Sequence, residues 1–157
     1  MKAYLVFIIL GLGCKLAAQT DFPDVYAITT QFERIEIIRL QNGTDLLEGL
    51  KQALLDKNIR NGVILAGIGS VTDYHIHVVT SRELPPANEF SKAAVPMDVI
   101  SVQGYIFNQR IHAHISLSDE NSMIGGHVEP GTKVLTFLII TVGVLTDEIK
   151  MEDLDRY

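Results

Sequence analysis

The segment that most constrains this chain is its last long apolar run, Lys133–Val144. It is rich in β-branched residues and carries almost no charge, which is typical of a buried strand. A strand that is apolar at successive positions must be covered on both faces. We therefore expect a sheet to cover one face, and either a helix or another subunit to cover the other.

One upstream segment has a helical period instead. Asn42-Gly43 predicts a turn, Thr44 can cap the amides that follow, and Asp45 favours the start of a helix. The helix should end near Asn58. Its apolar residues recur along one face: Leu46, Leu47, Leu50, Ala53 and Leu54.

The other segments have the character of strands. The glycines in Gly67–Ser70 predict a tight bend or a close backbone approach, and Ser81–Ala94, which contains Pro85-Pro86, predicts a loop that could lie over a site. We expect an α+β fold with about seven mostly antiparallel strands and one or two helices. The clearest strands are Arg34–Leu40, Val63–Ala66, Tyr74–Val79, Met97–Phe107 and Ile111–Leu117.

The N-terminus has the pattern of a secretory signal peptide. Lys2 precedes a short apolar run, and Ala17-Ala18 supplies small residues for cleavage. Cleavage before Cys14, with a lipid on its sulfur, is the alternative and the only route to a membrane that the sequence offers. The expected division is a signal peptide (1–18), a tether and first strand (19–33), a domain (34–146) and a charged tail (147–157).

Charge bears on the partners of the chain. Its formal net charge is −6, and loss of residues 1–18 would remove two lysines, leaving 11 basic against 19 acidic residues, a charge of −8. Affinity for phosphate backbones comes mainly from Lys and Arg. The composition therefore argues against nucleic acid as a partner, and the exported form would contain no cysteine.

Three histidines in the segment IHAHISLSDENSMIGGHV form a candidate metal site. His112 and His114 stand two residues apart in a predicted strand, so both point to one face. A hairpin through Asp119–Asn121 would bring His127 alongside, and Gly125-Gly126 would allow close approach of the backbone. Three imidazoles with an open fourth position suit zinc or another divalent transition metal. The alternative is a polar sheet face that merely meets water.

Other candidates are less well supported. His75 and His77 form a second H-x-H pair, which either shares the cleft or faces solvent; we leave both out of the expected site. Three carboxylates could orient a ligand histidine or act on bound water: Glu33, Glu36 and Glu129.

Several blocks in this order resemble the plants and prokaryotes conserved (PPC) domain: RLQNGTDLLEGLKQALLDKNIRNGVILAGIGSVTD, ISVQGYI and IHAHISLSDENSMIGGHVEPG. The resemblance covers about Arg34 to Leu145. It implies an antiparallel α+β fold, a homotrimer that would cover the Lys133–Val144 strand, and a metal site at His112, His114 and His127. Plant members carry a basic AT-hook before this domain, and this sequence has no such segment, so a DNA-binding role would rest on analogy.

We therefore expect an exported, trimeric protein that binds a transition metal, zinc first, and through it a small molecule or a partner. The alternative is a metal-dependent hydrolase or lyase that uses zinc-activated water. DNA binding is the third possibility.

Overall fold

The computed structural model describes residues 25–146, 151, 154 and 155, so the expected signal peptide and Cys14 lie outside the described residues. The part described contains seven strands and one helix, which confirms the predicted α+β class. The elements in order are β1 Phe32–Gln41, α1 Leu46–Asp56, β2 Gly62–Val79, β3 Asn88–Ala93, β4 Met97–Phe107, β5 Arg110–Ser118, β6 Met123–Val128 and β7 Lys133–Leu145. No helix within the described part is long and apolar enough to cross a membrane.

All pairings in the sheet are antiparallel. The strands follow the order β1-β7-β2-β4-β5-β6, and β3 pairs with the end of β2. An additional pairing joins β6 to β2. It closes β2, β4, β5 and β6 into a ring of hydrogen-bonded strands and holds β6 between two neighbours.

The predicted bend at Gly67–Ser70 is absent, because β2 continues through it as one strand of 18 residues. The other expectation for these glycines, a close backbone approach, is confirmed at Gly69. A Cβ there would lie 2.0 Å from the carbonyl oxygen of Phe137 on β7, closer than any side chain allows. Glycine at this position lets β7 approach β2 rather than turning the chain.

The predicted loop Ser81–Ala94 is only partly a loop. Its second half forms β3, which pairs with Tyr74–Val79 of β2. The prolines precede this strand instead of interrupting it, so the segment returns along β2 as an edge strand.

Helix α1 lies where its periodicity predicts, but a different residue caps it. The N-cap is Asp45, not Thr44: its Oδ1 accepts hydrogen bonds from the backbone amides of Leu47 and Glu48, at 3.0 and 3.2 Å. Carboxylates are good caps because they accept from these otherwise unpaired donors. The apolar stripe of the helix is fully buried at Leu46, Leu50 and Leu54.

Strand β7 packs one face into the core, with Leu138, Ile140 and Val142 fully buried. Its other face is open. Phe137 is 38% exposed there, and nearby exposed residues are Ile35 and Ile37 on β1 and Leu65 and Ile68 on β2. We call this surface the β1–β7–β2 face. We predicted that a helix or another subunit covers the second face of β7. No helix among the described residues lies on the β1–β7–β2 face.

Part of the charged tail lies against the domain. Met151 is buried with Phe107 and Leu145, and Asp155 accepts from Arg110, with 2.6 Å between Nη2 and Oδ1. An apolar contact and an ion pair therefore anchor these described tail residues on the β4–β5 hairpin.

Candidate metal centre

The alternation of β5 sets the direction of the first two histidines. Ala113, Ile115 and Leu117 are buried in the core, so His112 and His114 project from the opposite face. This is the arrangement predicted from sequence. The face lies away from the core, and its side chains remain accessible.

The hairpin from β5 to β6 is fixed by its own turn. Asp119 Oδ1 accepts from the amides of Asn121 and Ser122, at 2.8 and 2.7 Å. These hydrogen bonds lower the pKa of the Asp119 carboxyl, because they stabilise its charged form. The resulting register places His127 directly across from His114, as expected.

The Gly125-Gly126 pair lets β6 approach both of its neighbours. A Cβ on Gly125 would lie 2.7 Å from the carbonyl oxygen of Ile115, and one on Gly126 would lie 2.5 Å from that of His77. Any side chain would push β6 away from β5 or β2. The two glycines thus bring His127 within reach of imidazoles on both strands.

The three predicted residues come together. The ring centroids of His112 and His127 are 4.7 Å apart, those of His114 and His127 are 5.3 Å apart, and those of His112 and His114 are 5.4 Å apart. One nitrogen from each ring lies within 4.8 Å of the others. Small side-chain rotations would place these three nitrogens around a common point, each at the Zn–N distance of roughly 2.0–2.1 Å.

His77, which the sequence reasoning left out, is also present. It pairs across β2–β6 with His127, and the two ring centroids are 4.6 Å apart. Its Nδ1 donates to Glu129 Oε1 at 2.7 Å. His77, His127 and Glu129 form a second group whose ligand atoms lie within 4.8 Å of one another.

His75 takes a different position, although it belongs to the same H-x-H pair. Its Nδ1 donates to the carbonyl oxygen of Pro130 at 2.9 Å. It belongs to neither group of converging ligand atoms. Thr132 is fully buried and bonds to both backbone groups of His75, accepting from N and donating to O. This locks the turn that carries Glu129 onto β2.

A carboxylate from the tail orients His112. The Nδ1 atom of His112 lies 3.3 Å from Asp155 Oδ2. Because the carboxylate can only accept, the proton of the ring is on Nδ1 and the lone pair is on Nε2. A ligand histidine typically donates its second nitrogen in this way. Arg110 holds Asp155 in place and lowers the pKa of its carboxyl.

Of the three carboxylates singled out in the sequence, Glu129 alone reaches the histidines. Glu36 pairs with Arg34 at 2.8 Å and Glu33 lies 3.7 Å from the same guanidinium. Both are on β1, at the opposite end of the strand order from β6.

Burial and neighbouring imidazoles lower the pKa of two of the histidines, His114 and His127. The pKa of His127 is lowered to about 4. The main cause is partial burial, and the second is electrostatic repulsion from the nearby rings of His112, His77 and His114. Burial and the same kind of repulsion lower the pKa of His114. Neutral imidazole is the form that binds a metal. Near neutral pH these two rings are therefore already in the form that can bind one.

The histidines open into a pocket of about 440 Å³. Its wall is formed by β2, β5, β6, the first residue of β3 and the stretch Ser81–Ala87 before it, which we call the proline segment. The residues are His77, Val78, Val79, Pro86, Asn88, His112, His114, Gly126 and His127. The proline segment therefore does border the site, as predicted, and the pocket is large enough for a small molecule beside an ion.

Several solved structures share the fold. A hypothetical protein from Salmonella cholerae-suis is 27% identical, with a TM-score of 0.63 over 76% of this chain and 81% of its own. A metal-containing protein from Archaeoglobus fulgidus is 18% identical, with a TM-score of 0.68 over 76% and 86%.

A protein from Bacteroides thetaiotaomicron, named only as a candidate DNA-binding protein, is 18% identical, with a TM-score of 0.61 over 73% and 83%. That name does not fit our expectation from composition, which argues against nucleic acid as a partner. At this identity the likeness shows the fold alone.

A search of the curated proteins found no match to the chain. A family model described as the Plants and Prokaryotes Conserved (PCC) domain matches residues 28–146. This range contains all the strands and the helix of the described part, together with all five histidines of the sequence, and it agrees with the resemblance found in the sequence. The chain belongs to the PCC domain family.

Proposed function

We propose that this protein binds a divalent transition metal through His112, His114 and His127, and that the bound ion presents its open coordination position to a small molecule or partner. The observation that supports this is the convergence of one nitrogen from each ring within 4.8 Å. Nitrogen ligands favour zinc, copper, nickel or iron over magnesium and calcium, and zinc accepts three protein ligands with one position free.

The surroundings of the three rings support the same proposal. His112 is oriented by Asp155, and the lowered pKa values of His114 and His127 keep these rings available to a metal near neutral pH. The pocket of about 440 Å³ adjoins the position that would remain open. The comparisons give no support to hydrolase or lyase chemistry, and binding is the function we put forward.

The test is metal content and zinc affinity of the purified protein against His114→Ala. We expect the wild type to bind zinc and the variant to lose at least about tenfold in affinity, since a ligand contributes no less than the groups that orient it. His75→Ala is the matched control, a histidine on the same sheet outside the converging group. Equal zinc affinity in wild type and His114→Ala would reject the proposal.

We also propose a homotrimer in which the β1–β7–β2 face is covered by another copy. Its exposed residues include Ile37 at 73% and Ile68 at 56%, and contiguous apolar surface of this kind usually marks an interface. Light scattering should give three times the protomer mass.

We propose export as well, on the N-terminal pattern of Lys2, the apolar run and Ala17-Ala18. N-terminal sequencing of the protein from its native cells should begin after Ala18. Residue 1 at the mature N-terminus would reject export, and a lipid on Cys14 would replace the secreted form with an anchored one.

Nucleic-acid binding is the second candidate, favoured by the name of the Bacteroides relative. The net charge of −6 weighs against it, because phosphate contacts need Lys and Arg. Fluorescence anisotropy with duplex DNA tests this candidate. Affinity that persists at physiological ionic strength would support it, and no binding at protein concentrations up to about 100 µM would exclude it.

A further inference from the structure

The two groups of converging ligands share a single residue, His127. One group contains His112 and His114, and the other contains His77 and Glu129. In the sheet, His127 on β6 pairs with His114 on one side and with His77 on the other. The shared ring therefore stands between two sets of possible ligands.

We propose that His77, His127 and Glu129 form a second position for a divalent cation, and that occupancy of one position excludes the other. This inference rests on the proposed function, because the first position is the one described there. A neutral imidazole offers one lone pair. His127 can therefore serve one ion at a time while it keeps its remaining N–H proton.

The second position has a different ligand chemistry. It supplies two imidazoles and a carboxylate, the set that hosts iron(II) in non-haem proteins and also suits manganese(II), whereas three imidazoles suit zinc and copper. His77 and Glu129 are partly buried, at 17% and 24% side-chain exposure, which reduces competition from water. Zinc binds more tightly than manganese(II) to either set of ligands. The two positions therefore differ in the ratio of their zinc affinity to their manganese(II) affinity.

The metal-free contact prepares this position. The Nδ1–H of His77 donates to Glu129 Oε1 at 2.7 Å, so nitrogen and carboxylate already face each other. A cation bound through these two atoms takes the place of the bridging proton, which moves through solvent to Nε2 of His77, so that the ring stays neutral. Thr132 and its bonds to the backbone of His75 hold the turn that carries Glu129.

The experiment measures manganese(II) by electron paramagnetic resonance and zinc by chelator competition, on the full chain of the wild type and four variants. His77→Ala and Glu129→Gln should each lower manganese affinity at least about tenfold and leave zinc affinity within about threefold. His114→Ala should do the reverse. His75→Ala, from the same H-x-H pair, should change neither.

Exclusion is tested by titrating zinc into the manganese-loaded wild type. We expect one equivalent of zinc to release one equivalent of manganese per protomer. One zinc and one manganese bound together would overturn the proposal, and so would wild-type manganese affinity in both His77→Ala and Glu129→Gln. Unchanged zinc affinity in His114→Ala would reject the proposed function instead, so the two failures are distinguishable.

Discussion

The individual histidines were predictable to different degrees. His112 and His114 were readable because alternation in one strand fixes their common face, and His127 because a short hairpin returns it. His77 is 50 positions before His127, and their proximity depends on the β2–β6 pairing. No local pattern encodes a pairing between strands so far apart in sequence, which is why the sequence alone could not assign it.

Asp155 provides the first prediction. Asp155→Asn weakens the acceptor that fixes Nδ1–H of His112, and loss of such a partner typically costs about 10–100-fold in metal affinity. We expect zinc affinity to fall by about tenfold, measured by chelator competition. Asp56→Asn, which also removes one carboxylate but on α1, is the charge-matched control. Equal affinity in both variants would show that Asp155 does not position the ring.

The pH dependence of stability follows from His127. Its pKa is about 4 in the folded protein against 6.5 for the free side chain, so between these values the unfolded chain binds the additional proton. The metal-free protein should therefore be fully stabilised by this residue above pH 6.5 and lose that contribution as the pH falls towards 4.

Thermal unfolding of the metal-free protein from pH 4 to 7.5 measures this effect. The melting temperature should rise with pH across the window, and His127→Asn should flatten the rise. An identical slope in the variant would assign the effect to other groups.

At the scale of elements, most bounds follow from periodicity. The differences have physical causes that act across the sheet. Gly69 indicated either a tight bend or a close backbone approach, and which of the two holds depends on how closely β7 passes. The existence of β3 depends on the free edge of β2 that it pairs with. Both depend on partners that are distant in sequence.

Gly69→Ala tests the close approach. The added Cβ would lie 2.0 Å from a backbone oxygen, which cannot move without separating β7 from β2. We expect a loss above about 3 kcal/mol in the free energy of unfolding, measured with urea. Gly43→Ala is the control: its φ is also positive, at 81°, but nothing lies within 4 Å, so only about 1–2 kcal/mol of backbone strain is expected.

Asp45 joins the helix to the turn after the site. Beyond capping α1, its Oδ2 accepts from the amide of Gly131 at 2.6 Å. Asp45→Ala removes both contacts and should cost about 2 kcal/mol in urea unfolding. Asp45→Asn retains an acceptor for the cap and should lose less than half of that. Equal losses would assign the stabilisation to charge alone.

At the scale of the whole molecule, the apolar sequence of β7 predicted that both of its faces are covered. It did not predict which residues of other strands would lie beside β7. The structure places Ile35, Ile37 and Ile68 beside Phe137 on one open surface. Residues from three strands meet there only after the sheet forms. The extent of the β1–β7–β2 face was for that reason hidden in the sequence.

Ile37→Glu tests the proposed trimer. A glutamate in an apolar interface would be buried without a partner, which is costly. The mass by light scattering should fall from three protomers to one, while circular dichroism stays unchanged. Leu84→Glu, at an equally exposed leucine in the proline segment (74%), should remain assembled. A monomeric wild type would contradict the proposal directly.

The docked tail has a consequence for where this protein can be cut. The family match ends at residue 146, so a fragment trimmed to that boundary would retain all five histidines yet lose Met151 and Asp155. Such a truncation would release the ring of His112 to rotate. Relatives that share only the matched region would need to find this carboxylate elsewhere or do without it.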